Sequence, residues 1–143
     1  MNKPLLLIAD ADVIVAQAYA QDANHQITVQ LGEKLRKKGA HILFPATAIA
    51  ESITTLQRKL SNPKLAAATL ELFTDSNMII EMVDQEVIKE AKLLFNPSGS
   101  KQNTIFDCIV ATLAKKHNAD AIFSFDNWYI KLGFTLAVNL FKN

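Results

Sequence analysis

Apolar residues cluster along this chain in short runs that alternate with longer amphipathic stretches. Leu5 to Ala9 is continuously apolar and short, as expected of a strand buried on both faces of a parallel sheet. Asp10 and Asp12 mark its end. Asn24 is placed to cap a helix in which Ile27, Leu31 and Leu35 recur every four residues, and Gly39 closes its last turn. His41 to Phe44 reads as a second strand stopped by Pro45. A helical seam of Ile49, Ile53, Leu56 and Leu60 follows, with Thr47 as its expected cap. Asn62-Pro63 breaks that helix, and Lys64 to Phe73 reads as the next.

Met78 to Val83 predicts a third strand, and Asp84 begins another helix with Glu86 in its first turn. Asn96 to Asn103 is the clearest loop in the chain. A nearly all-apolar helix is expected from Thr104 to His117, with Asn118 as its stop. Ala121 to Phe125 reads as a fourth strand ending at Asp126, and Phe134 to Val138 as a weaker fifth. Strands alternating with helices predict an α/β fold: a mostly parallel sheet of about five strands, covered by helices on both sides.

Composition narrows this further. With 143 residues, half of them hydrophobic, the sequence predicts one domain over residues 1–143 and excludes a disordered chain. Fifteen Lys and Arg against 14 Asp and Glu leave a formal charge of +1. A protein that works by neutralising many phosphates is ordinarily more basic, although a local basic patch can sit beside an acidic cleft. The lone Cys108 forms no internal disulfide, which fits a reducing compartment. The apolar run at the N-terminus is too short for a signal peptide or a membrane helix, so a soluble, cytoplasmic protein with no membrane partner is expected.

The acids carry the candidate chemistry. Parallel sheets bind ligands outside the carboxyl ends of their strands, and Asp10 and Asp126 stand directly at two such ends. Either alone reads first as a cap or turn former, and two on matching strand ends make that reading less comfortable. Asp107 opens the apolar helix with Val110, Ala111 and Ala114 as its helical neighbours. A buried acid there wants a partner, a metal or a raised pKa, but a first-turn Asp is also stabilised by the helix dipole. Glu51 lies about 200° around its helix from Ile49, the position of a solvated surface residue. Asp12 reads as a supporting group, a cap or a ligand. Three scattered histidines lack zinc-site spacing, and no glycine-rich phosphate-binding motif occurs.

Together, IADADVIVA at Ile8 to Ala16, the lone acid Glu51 in ATAIAESITTL, and FDCIVATLAKKHNADAIFSFD at Phe106 to Asp126 resemble the PIN domain. The resemblance implies a three-layer α/β/α nuclease fold whose acids hold Mg²⁺ or Mn²⁺ and cleave RNA. It carries catalytic and metal-binding roles to Asp10, Glu51, Asp107 and Asp126, and a supporting role to Ser124. Flanking cations, of which Lys101, Arg58 and Lys59 are the candidates, are expected to guide the RNA backbone. A free-standing domain of this length resembles the toxin of VapC-type toxin–antitoxin pairs, which implies an antitoxin partner and a homodimer.

The chain departs from the family pattern at Ala11, often Thr or Ser in relatives, and at Trp128, where many toxins carry a further Asp. Two other functions fit parts of the sequence. LLLIADADVI also resembles the opening motif of haloacid-dehalogenase-like phosphatases, with Asp10 as nucleophile and Asp12 as general acid. A PIN-like module that binds RNA or protein without catalysis is the other.

Overall fold

The computed structural model describes residues 3–99 and 103–142. Four strands, β1 (Leu6–Ala9), β2 (His41–Pro45), β3 (Ile79–Glu81) and β4 (Ala121–Phe123), form one parallel sheet in the order β3-β2-β1-β4. The helices are α1 (Ala11–Ala18), α2 (His25–Lys37), α3 (Ala46–Thr54), α4 (Pro63–Asp75), α5 (Gln85–Ala91), α6 (Ile105–Lys116) and the short α7 (Trp128–Lys131).

Alternation along β1 builds the three layers. Ile8 points into a cluster with Val87 of α5 and Val110 and Leu113 of α6, whereas Leu7 and Ala9 point into one with Val13 of α1 and Leu31 and Leu35 of α2. Both faces of β1 are therefore buried, which is why it reads as unbroken apolar sequence. On β4, Ile122 takes the α6 side while Ala121 and Phe123 take the α2 side.

The chain lays down β1, β2 and β3 in one direction and then returns to place β4 on the other side of β1. The strand order reverses between β1 and β4, so the topology leaves a crevice at their carboxyl ends. The backbone N–H of Asp10 donates to the carbonyl of Phe123 at 3.0 Å and ties the two ends together.

Three expected details differ. Phe134 to Val138 contributes only one parallel bridge, Leu136 to Ile122, before Ala137–Asn139 closes into a 3₁₀ turn. Asn139 N–H then bonds back to Leu136 rather than to a neighbouring strand. Pro45 is the last residue of β2 and occupies the cap position of α3, so the helix starts a residue before Thr47, whose hydroxyl is buried without a partner. The third strand is Ile79–Glu81, shorter than expected. The Asn62-Pro63 break is itself a helix start: Asn62 accepts a hydrogen bond from Leu65 N–H at 3.1 Å with Pro63 in the first turn of α4.

Candidate active site

Asp10 and Asp107 are each fixed by the local structure that carries them. Asp10 is the N-cap of α1, and its Oδ1 accepts from Ala11 N–H at 2.6 Å. Asp107 sits in the first turn of α6 within a capping box. Its Oδ2 accepts from Thr104 N–H at 3.0 Å while the Thr104 hydroxyl accepts from Phe106 N–H at 3.3 Å. The local explanations for both residues hold, and they do not compete with a site. Capping is what aims the two carboxyls into the crevice, and both are buried there, 4% and 8% exposed.

Asp12 and Ser124 shape the other wall. Asp12 Oδ2 accepts from the Ser124 hydroxyl at 2.9 Å and from Phe125 N–H at 2.8 Å, which anchors the turn after β4 to α1. The Ser124 oxygen in turn accepts from Asp126 N–H at 3.1 Å. Asp126 Oδ1 accepts from Trp128 N–H at 2.9 Å and Oδ2 from the Asn103 amide at 3.1 Å. Asp12 Oδ1, by contrast, is buried with no hydrogen-bond partner.

Glu51 joins the cluster from α3. The buried side of that helix is Ala48, Ile49, Ser52 and then Leu56, packed on α1 so closely that the Ser52 hydroxyl lies 3.4 Å from the Ala11 carbonyl. Small residues make up half of this face, so a seam drawn through large aliphatics misplaces its centre. Glu51 stands about 60° from Ala48 and is half-buried, not solvated.

The electrostatics follow from burying like charges together. Burial pushes Asp12, Glu51 and Asp107 each up to about 7, with the charge of Asp10 adding to all three. Asp10 is raised mainly by burial, against the opposing hydrogen bonds from Tyr129 and Ala11. Tyr129 was not legible as a site residue. It is fully buried, and its hydroxyl donates to Asp10 Oδ2 at 2.6 Å and lies 3.4 Å from Asp107 Oδ1. Burial and the neighbouring carboxylates raise its pKa far above the ordinary phenol, so it keeps its proton.

Of the expected cations, Arg58 and Lys59 are exposed on a π-helical turn, Thr55–Lys59, that continues α3. Lys101 lies outside the described residues. Lys131, which the sequence did not single out, lines a polar hollow of about 520 Å³ together with Asp12, Asn103, Phe125, Asp126 and Trp128. A larger apolar groove of about 750 Å³ lies elsewhere, against Val13, Leu65 and Phe73, and none of the clustered acids lines it.

As the side chains stand, no group of three or more His, Cys, Asp or Glu among the described residues is set to hold a metal ion. The donor chemistry fits a hard divalent cation: every candidate ligand is a carboxylate oxygen, one of them is buried without a partner, and three carboxyls are raised by burial and by the neighbouring charge of Asp10.

A parallel sheet that reverses order beside a cluster of acids defines an α/β domain with an acidic crevice at its strand ends, and sequence comparison gives it a family. The chain belongs to the PIN domain family, whose model matches residues 7–134. Among solved structures, VapC20 of Mycobacterium tuberculosis, a toxin described as cleaving the sarcin–ricin loop, matches with a TM-score of 0.78 at 17% identity. The match covers 90% of this chain and 96% of that one, and at this identity it is a likeness of fold. No curated protein matches the sequence significantly. Among the described residues, no helix is long and apolar enough to cross a membrane.

Proposed function

We propose that the chain is a Mg²⁺- or Mn²⁺-dependent endoribonuclease that hydrolyses RNA phosphodiesters at Asp10, Glu51, Asp107 and Asp126. The observation that carries this reading is the convergence of acids from the ends of β1 and β4 and from α3 and α6 in one crevice, where burial and mutual repulsion raise three carboxyls of the cluster to about 7. A divalent ion bound there supplies a Lewis acid for a phosphate oxygen and makes water a competent nucleophile near neutral pH. The chain's own contribution is to hold the acids. Caps fix Asp10 and Asp107, and the Asp12–Ser124 link fixes the turn bearing Asp126.

Arg58, Lys59 and Lys101 are assigned to guiding the RNA backbone toward this crevice. The fold shared with a VapC toxin supports the further reading that residues 1–143 form a single toxin domain of a VapBC-type pair, cytoplasmic, homodimeric and held by an antitoxin. Membership of the PIN family weighs against a dehalogenase-like phosphatase. So does the chemistry of Asp12, one of whose oxygens already serves Ser124 and Phe125 instead of facing a leaving group.

The test is cleavage of a panel of transfer and ribosomal RNAs with Mn²⁺, Mg²⁺ or EDTA. Wild type is expected to cut only with metal, leaving 5′-phosphate and 3′-hydroxyl ends, and Asp107→Asn to lose the activity. Metal-independent cutting that leaves cyclic phosphates would refute the mechanism. No cutting by the wild type under any condition would reduce the domain to a binding module, and equal metal-dependent cutting by Asp107→Asn would remove Asp107 from the catalytic set.

A further inference from the structure

We propose that Tyr129 is the positioning residue of the acidic cluster, its buried hydroxyl setting Asp10 against Asp107 in the arrangement that takes up a divalent cation. The inference rests on the function proposed above and adds a residue to it.

The argument begins with what a tyrosine costs at this place. The ring is 0% exposed and packs in the cluster with Ile8, Val110, Ile122 and Leu136, where phenylalanine would fill the same volume. Burying a hydroxyl without a partner is unfavourable, so a tyrosine here is useful only if its oxygen is satisfied. Its oxygen faces two carboxylates, Asp10 Oδ2 at 2.6 Å and Asp107 Oδ1 at 3.4 Å. One proton is available, and the short contact gives it to Asp10.

The consequence for Asp10 is geometric. Oδ1 is held by Ala11 N–H and Oδ2 by the Tyr129 hydroxyl, so the carboxylate is fixed at both ends while each oxygen keeps a lone pair for a ligand. Asp107 is fixed at Oδ2 by Thr104 N–H, with its Oδ1 turned toward the same hydroxyl. Tyr129 thus joins oxygens of two acids, one contributed by the end of β1 and the other by the first turn of α6.

The residue is itself well anchored. Its carbonyl accepts from Leu132 N–H at 3.1 Å and from Phe134 N–H at 3.0 Å, and its ring meets Trp128 edge-on with centroids 5.4 Å apart. Because Asp126 lies three residues earlier, the segment from Ser124 to Tyr129 reaches Asp12, Asp10 and Asp107 while carrying an acid of its own.

Tyr129→Phe removes only the oxygen. Groups that orient metal ligands from behind typically contribute 10–100-fold to metal affinity or activity. The expected result is Mn²⁺ affinity, followed by the electron paramagnetic resonance of free Mn²⁺, weaker by about 10–100-fold. The kcat for RNA cleavage should fall and the KM for RNA stay unchanged, because a fully buried ring does not reach RNA. Leu136→Val, in the same core cluster, should lower thermal stability and leave Mn²⁺ affinity alone, which separates positioning from packing. Fluorotyrosine at position 129, with its hydroxyl kept and made a stronger donor, must also shift Mn²⁺ affinity, and this arm stands even if Tyr129→Phe unfolds. Unchanged Mn²⁺ affinity in Tyr129→Phe or in the fluorotyrosine protein overturns the inference alone. A wild-type protein that binds no Mn²⁺ overturns the proposed function and this inference with it.

Discussion

Asp107 does two things that pull in opposite directions. As a cap it stabilises the start of α6, and as one of several buried acids it destabilises the cluster it faces. Asp107→Asn separates the two, because the amide oxygen can still accept from Thr104 N–H while the charge is gone. In metal-free protein at pH 8 the variant should therefore be more stable than wild type. After discounting for partial solvent screening we expect about 1 kcal/mol, or about 3 °C in Tm. A thermal melt in EDTA checks this, and a less stable variant would mean that the cap outweighs the charge. At this scale the sequence was uneven. Asp10 and Asp126 stood out because strand ends are easy to see, and Asp107 because it is polar in an apolar helix. Glu51 was hidden because Ala48 and Ser52, which bury as completely as Ile49, add little to a hydrophobic pattern. Tyr129 was hidden because nothing local distinguishes an aromatic that fills a core from one that also donates to a carboxylate.

The element that most directly sets the site is α6. All residues from Asp107 to Ala114 are buried, so the helix can shift little once packed, and its first turn decides where the Asp107 carboxyl sits. Thr104→Ala removes the hydroxyl acceptor of the capping box, which ordinarily costs about 1 kcal/mol. The same change should weaken Mn²⁺ binding, since the turn that holds Asp107 loosens, and Thr104→Ser should restore both. Denaturant unfolding beside Mn²⁺ titration reads the two effects, and full Mn²⁺ affinity in a destabilised Thr104→Ala would detach the cap from the site. Helices α2 to α6 and strands β1, β2 and β4 were legible from periodicity and punctuation, whereas α1 and the four-residue α7 were not delimited. The last expected strand was not legible, because Leu136 and Ala137 are buried as a strand would be while the backbone pairs at a single residue before turning. Burial writes an apolar pattern whether or not a ladder forms.

For the whole molecule, the strand order that places β4 beside β1 concentrates negative charge in one crevice, and this couples stability to pH. Asp12, Glu51 and Asp107 ordinarily titrate at 3.8 to 4.5 but are raised to about 7 in the folded chain. Between about pH 4 and pH 7 the native state binds more protons than the unfolded state, so stability falls as pH rises through that window and levels off above it. Without metal, Tm should accordingly be higher at pH 5.5 than at pH 8. On the proposed function a divalent cation should reverse the order of advantage, because it would bind the ionised cluster and have to displace protons at low pH. Mn²⁺ at one hundred times its Kd stabilises by about 2.7 kcal/mol, close to 8 °C in Tm for a domain of this size. That gain is expected in full at pH 8 and should shrink to a few degrees at pH 5.5 at the same Mn²⁺ concentration. Scanning fluorimetry over the grid of pH and Mn²⁺ measures both trends. Equal Mn²⁺ shifts at the two pH values would mean that the ion is held away from the raised carboxyls. A metal-free Tm that rises with pH would mean that the acids are not brought together as charges at all.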